Sequence, residues 1–328
     1  MTQGLRPPSA NTAFGGRRPG GSAPLGRQPA IPVRDARLGG AESRFRHVVK
    51  IEIEKLNKNI HIVKDTMNLS IQDLQKADIF LSIFKDIKLF TNDINIMFEQ
   101  ERMYIQSMDN AHVMLFEIIL PKTWFSKYEP ISGSSTIGIR CDILYRILNI
   151  RDKNQTIQIQ FSTTDELTID FESQIKGEFT KHFKVPLVDL DYQILNIPEN
   201  EEDDVEITME SAVFAKLIGQ LALFGDSLHM EFTEDKIVFS ANNSESEEMK
   251  TILKTDDLNS YSINEGATIH LDFSLKYLQN ICKFNKLSNK MELKINESRP
   301  MKIIYNLNLT DTKQPEKMVF YLAPKIED

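Results

Sequence analysis

The sequence predicts an α+β protein whose folded body is two similar domains of antiparallel sheet, each with two helices. Three observations carry this. Short stretches alternating apolar and polar residues recur along most of the chain, the period of half-buried strands. Four windows with apolar residues at helical spacing interrupt them, two on each side of the body's midpoint. Between the pairs lies a segment ending in Ile197-Pro198, followed by a run of carboxylates, a composition shift that marks a linker.

Taken in order, residues 1–47 form a Gly/Pro/Arg-rich tail. Too few apolar side chains are present there to offset the entropy of ordering, so the segment is expected to be disordered. Residues 48–66 read as an added strand, turn and strand, from Val48–Glu54 and Ile60–Val63. Residues 67–187 form the N-terminal domain, 188–204 the connector and 205–328 the C-terminal domain. Predicted strands include Ile94–Phe98, Val113–Ile119, Thr156–Phe161, Glu166–Phe171, Glu178–Val185, Val205–Met209 and Leu228–Phe232. Ile237–Ala241, Thr268–Leu271, Met291–Ile295, Met301–Leu307 and Met318–Leu322 continue the series. Their connections are too short for helical crossovers, so the pairing is antiparallel.

The predicted helices span Ala77–Thr91, Cys141–Ile150, Ser211–Phe224 and Phe273–Lys286. Phe80, Phe84 and Ile87 make the apolar stripe of the first, Ile143, Leu144, Ile147 and Leu148 that of the second. Val213, Phe214, Leu217, Ile218 and Leu221 mark the third, Leu275, Leu278 and Ile281 the fourth. Cations lie opposite those stripes: Lys85 and Lys88, Arg146, Lys216, then Lys276 and Lys283. Four helices of one kind, each with cations opposite its buried face, point to one unit used repeatedly.

Charge is unevenly placed. The tail carries eight arginines against Asp35 and Glu42, leaving 31 basic and 45 acidic residues for the remainder, a balance of −14. An acidic body argues against tight sequence-specific binding of DNA, but permits contact through cations gathered on one surface. Cys141 and Cys282 show no metal spacing and sit in apolar periodic stretches, as buried reduced thiols do. No phosphate-binding GxxxxGK[ST], HExxH, GxSxG or Cys/His cluster occurs, so the expectation is a protein that is not an enzyme and needs no cofactor or metal. No apolar run is long enough for a membrane span.

Several segments, in a fixed order, are similar to those of the proliferating cell nuclear antigen family, the DNA sliding clamps. Gln106-Ser107-Met108-Asp109 with His112-Val113 matches a loop of that family. Leu190-Asp191 through Leu195 to Ile197-Pro198-Glu199 matches its connector. Phe214-Ala215-Lys216, Gly225-Asp226, Phe239-Ser240-Ala241 and Leu275-Lys276-Tyr277-Leu278 match its second domain, and Tyr321–Asp328 its C-terminus. The resemblance runs from about Met67 to Asp328 and has a divergent, viral or protist character.

The resemblance implies a DNA-clamp fold with outer sheets and inner helices, three subunits closing a ring around double-stranded DNA. It implies a processivity factor for DNA replication and repair, with DNA polymerase, other peptide-bearing clients and a clamp loader as partners. Client peptides would enter a hydrophobic pocket at Met108, His112, Val113, Leu115, Leu195, Ile197, Pro198, Pro300, Tyr321, Leu322, Ala323 and Pro324. Lys85, Lys88, Arg146, Lys216, Lys276 and Lys283 would face DNA without reading its sequence. Subunits would meet through Glu178–Val185 of one and Met249–Lys254 of another. The nucleus is the implied location, with a cytoplasmic viral replication factory as the alternative. A subunit of a heterotrimeric checkpoint-type clamp and a monomeric clamp-like factor are the other readings. Three departures accompany the resemblance: Glu234 stands where the family has a modified lysine, and Asn149 and Gly219 where it tends to be basic.

Overall fold

A computed structural model describes residues 66–162, 166–173, 175–191, 193–198, 202–307 and 316–325. The expected tail and the strand-turn-strand at 48–66 lie outside the described residues, apart from Thr66.

The N-terminal half runs β1 (Thr66–Ile71), α1 (Leu74–Ile87), β2 (Asp93–Phe98), β3 (Arg102–Met108), β4 (Met114–Pro121), β5 (Lys127–Glu129), β6 (Ser135–Arg140), α2 (Cys141–Leu148), β7 (Thr156–Ser162), β8 (Glu166–Glu172) and β9 (Lys181–Val185). The C-terminal half repeats that order: β10 (Val205–Glu210), α3 (Ser211–Leu221), β11 (Ser227–Phe232), β12 (Ile237–Asn242), β13 (Glu248–Leu253), β14 (Ser260–Ile263), β15 (Ile269–Ser274), α4 (Leu275–Ile281), β16 (Lys290–Ile295), β17 (Met301–Asn306) and β18 (Lys317–Leu322). Strand order repeats as well. The sheet β5-β1-β7-β8-β9 has its counterpart in β14-β10-β16-β17-β18, and β4-β3-β2-β6 in β13-β12-β11-β15.

The two halves do not keep separate sheets. β18 pairs antiparallel with β4, placing Tyr321 opposite Leu115 and Phe320 opposite Phe116, and so fuses two four- and five-stranded units into one nine-stranded sheet. Beneath this seam Phe90, Phe116, Phe284 and Phe320 pack with centroids 5.2–6.4 Å apart. All four are buried, and they come from both halves.

The helices form where the apolar stripes require, with shifted ends, except that Val213 is half exposed at the edge of the buried stripe formed by Phe214, Leu217, Ile218 and Leu221. α1 begins earlier than periodicity predicts because Asp73 caps it, accepting from the amides of Gln75 (2.8 Å) and Lys76 (3.1 Å). The fourth helix is shorter than expected: α4 ends at Ile281, and Cys282–Lys286 continues as a 3₁₀ turn packed against α1 and α3. Arg151, buried just beyond α2, pairs with Asp78 of α1 and donates to the carbonyls of Asp152, Lys153 and Gln155. That places one guanidinium between two helices that the sequence left unlinked. β1, β3, β5, β6, β13 and β14 were not among the predicted strands. β5 is only three residues long, and β3 carries the polar Gln106 and Ser107, so alternation is weak there. Both cysteines are buried free thiols, each pushed up to about 12 by burial.

Replacing Phe320 by Ala is expected to cost roughly 3–5 kcal/mol, because it opens the seam on both halves at once. A lowered urea midpoint with unchanged slope would register it.

Candidate functional site

The loop between β3 and β4 is built around one carboxylate. Asp109 is 4% exposed; its Oδ1 accepts from the amides of Val113 and Met114, both at 2.7 Å, and its Oδ2 from Ala111 at 2.9 Å and the Tyr277 hydroxyl at 2.7 Å. Burial alone would raise its pKa, but the Tyr277 hydroxyl and the three amides outweigh that and hold it below the usual value. Tyr277, desolvated and facing this carboxylate, is pushed up to about 12. The turn leaves His112 at φ 58°, a left-handed conformation, with its side chain exposed. Val113 in turn receives the chain end, as its carbonyl accepts the amide of Ala323 at 3.0 Å.

The connector is held over the nine-stranded sheet at three points. At its start the Val188 amide donates to the Gly138 carbonyl at 2.9 Å, and a Cβ at Gly138 would collide with the Val188 carbonyl, which restricts that position to glycine. In the middle the Gln106 side chain clasps Leu195, donating to its carbonyl (2.9 Å) and accepting from its amide (2.8 Å). At its end the Asp203 carboxylate lies 3.7 Å from Lys294, 3.9 Å from Lys302 and 4.0 Å from Arg299.

Loop, connector and chain end enclose an apolar cavity of about 530 Å³. Met108, His112, Val113, Leu115, Leu195, Ile197, Pro198, Pro300, Tyr321 and Ala323 line it, joined by Met114, Asn196, Arg299 and Lys302. Of the residues expected there, Leu322 and Pro324 are not in the lining. Leu322 is fully buried on the opposite face of β18 from Tyr321, as strand alternation demands. Tyr321 is fixed by the hydrogen bond from its hydroxyl to Glu117 Oε2 at 2.7 Å, and Tyr104 donates to the same carboxylate. A second, polar trough of about 590 Å³ continues under the connector, sharing Leu195, Ile197, Lys302 and Tyr321.

The helix layer carries the other expected set. Lys85, Lys88, Arg146, Lys216, Lys276 and Lys283 are all exposed. Lys88 sits 4.2 Å from the centroid of the Tyr145 ring, a cation–π contact that couples α1 to α2. Lys85 and Lys283 also line a groove of about 640 Å³ with Lys286, at the meeting of α1, α3 and the 3₁₀ turn. Sequence reasoning passed over Lys286, although its spacing of three from Lys283 was the available signal. It also passed over Gln106 as a connector clasp, for which no local pattern exists.

With this geometry in hand, comparison with known proteins settles the class. The family models of the proliferating cell nuclear antigen match in both halves, the N-terminal domain over residues 48–194 and the C-terminal domain over 196–325. The chain belongs to the proliferating cell nuclear antigen family, the DNA sliding clamps. It is 28% identical to the proliferating cell nuclear antigen of Chaetomium thermophilum over 260 residues, 78% of this chain and 97% of that one. It is 24% identical to proliferating cell nuclear antigen 2 of Plasmodium falciparum, covering 76% and 96%. A probable DNA polymerase sliding clamp 2 of Paramecium bursaria Chlorella virus 1 is 27% identical, covering 74% and 87%. Members of this family are non-catalytic.

Asp109 titrates lower in the folded chain than in the unfolded one, so its stabilisation is complete above the ordinary carboxylate value of about 4. It is lost as pH falls through the depressed folded value. Asp109→Ala is expected to cost roughly 2–4 kcal/mol at neutral pH. The gap from the parent should close on acidification in a pH series of thermal melts.

Proposed function

We propose that three copies of this chain close head to tail into a ring around double-stranded DNA, and that the ring holds DNA polymerase and other clients through the apolar cavity. The repeat of the two halves carries the reading. β18 and β4 pair inside the chain, and their counterparts in the repeat are β9 and β13, which are end strands of their sheets. The pairing used inside the chain can therefore be used again between copies, β9 of one against β13 of the next. Such a heterologous contact generates a ring when its rotation closes. Exposed apolar side chains lie at both edges: Phe179, at 79%, just before β9, and Ile252, at 62%, on β13. Unpartnered strand edges that carry apolar side chains are costly alone and favour pairing.

In the ring the helices turn inward. Their exposed cations contact phosphates weakly and without regard to sequence, which lets the ring slide. The outward cavity is apolar and walled by two methionines, two prolines and a tyrosine, an adaptable seat for a short hydrophobic plug with two aromatics. Tethering then raises the local concentration of the polymerase at the primer end. A clamp loader opens and closes the ring, and the nucleus is the site of action. Confinement of a tagged chain to the cytoplasm would overturn that last element.

Light scattering is expected to return three times the 37.7 kDa chain mass. A concentration-independent monomer would sink the ring. Phe179→Asp with Ile252→Asp should shift the mass toward one chain. Leu195→Ala with Ile197→Ala is expected to weaken an aromatic-plug peptide by more than about tenfold in calorimetry, with an unchanged melt. The combination Lys85→Glu, Lys216→Glu, Lys276→Glu should shorten polymerase run length on primed DNA and leave peptide affinity intact; normal run length would show that these lysines do not meet DNA.

A further inference from the structure

One row of cross-strand partners crosses the face of the nine-stranded sheet under the connector. Met108 on β3 stands opposite Leu115 on β4, Leu115 opposite Tyr321 on β18, Tyr321 opposite Lys302 on β17, and Lys302 opposite Lys294 on β16. Directly opposed residues on neighbouring strands project to the same side. The row therefore grades from apolar through aromatic to cationic over four strand spacings of roughly 4.8 Å each, a span that a short extended peptide covers.

The cavity reflects this gradient. Among the described residues its charged lining residues are Arg299 and Lys302, and none of the described carboxylates lines it. The carboxylates of this face, Glu117, Glu202, Asp203 and Glu206 among them, line the trough instead. Among the described residues Lys302 is the one charged residue common to both spaces. Its ammonium is 3.9 Å from Asp203, outside hydrogen-bond reach, whereas Lys294 has a close partner in Glu206 at 2.7 Å. The Asp203 carboxylate lies within 4.0 Å of three cations, two of which border the cavity. The Lys302 side chain is only 15% exposed, so solvent screens it weakly against a charge placed beside Tyr321.

We propose that the client peptide of this chain carries a carboxylate next to its hydrophobic plug, and that Lys302, with Arg299 at the rim, selects for it. This rests on the client-pocket reading above and adds the charge of the partner to it. The body as a whole is acidic and repels such a peptide at long range. The selection is made at contact, by the cationic end of the row.

The test is fluorescence anisotropy at about 150 mM salt with three labelled synthetic peptides. They share one plug-and-two-aromatics core and differ only in flanking pairs of Asp, Ser or Lys. The Asp-flanked peptide is expected to bind about tenfold tighter than the Ser-flanked one, the equivalent of one charge-assisted hydrogen bond, and the Lys-flanked peptide weakest. Lys302→Met should bring the three affinities together, and Lys302→Arg should keep them apart. Equal affinities on the parent chain, or a spread that survives in Lys302→Met, would overturn the proposal. Should Lys302→Met not fold, the comparison on the parent chain decides alone. If none of the three peptides binds, the client-pocket reading itself falls, and the charge selection with it.

Discussion

The pairing of β18 with β4 is the interaction on which the rest of the molecule depends. It joins the last strand of the chain to one near its beginning. Two repeated halves thereby share a single nine-stranded sheet, sealed below by Phe90, Phe116, Phe284 and Phe320. Each half alone would leave these aromatics facing water. Their burial, worth roughly 1.5–3 kcal/mol per side chain, goes with the backbone ladder, so sheet and core at the seam form or fail together.

The same seam makes the apolar cavity possible. Met108, Val113 and Leu115 come from one side of it, Pro300, Tyr321 and Ala323 from the other. The cavity is thus a property of the joined halves. Asp109 sits at the same place, gathering the amides of its own loop and the hydroxyl of Tyr277 from α4. One buried carboxylate thereby ties the loop that walls the cavity to the helix that carries Lys276. The connector lies across the seam, clasped by Gln106 and by the cations around Asp203, and roofs both the apolar cavity and the polar trough.

An internal repeat of this kind has a geometric consequence. Every strand of the first half has a counterpart in the second, yet the junction uses only β4 and β18. The counterparts β13 and β9 remain as end strands, bordered by exposed Ile252 and Phe179. In the proposed ring these are the edges that pair between copies. The helices carry the exposed cations Lys85, Lys88, Arg146, Lys216, Lys276 and Lys283 within an acidic body.

Local chemistry was legible in the sequence. Period-2 and helical spacing located most strands and all four helices, and helix-opposed lysines marked the exposed face, because each of those patterns involves neighbours within a few residues. Helix ends were less legible: Asp73 as a cap outweighed periodicity at α1, and the 3₁₀ turn replaced the end of the fourth helix. The residues of the connector and chain end were recognisable only through family motifs, and alternation along β18 already implied that Tyr321 and Leu322 could not both line one cavity. What tertiary structure alone decided is the cross-strand order that sets Lys302 beside Tyr321, the clasp of Gln106 on Leu195, and the aromatic seam. Each joins residues distant in sequence whose proximity follows from register, and register is fixed by the burial of a whole sheet face.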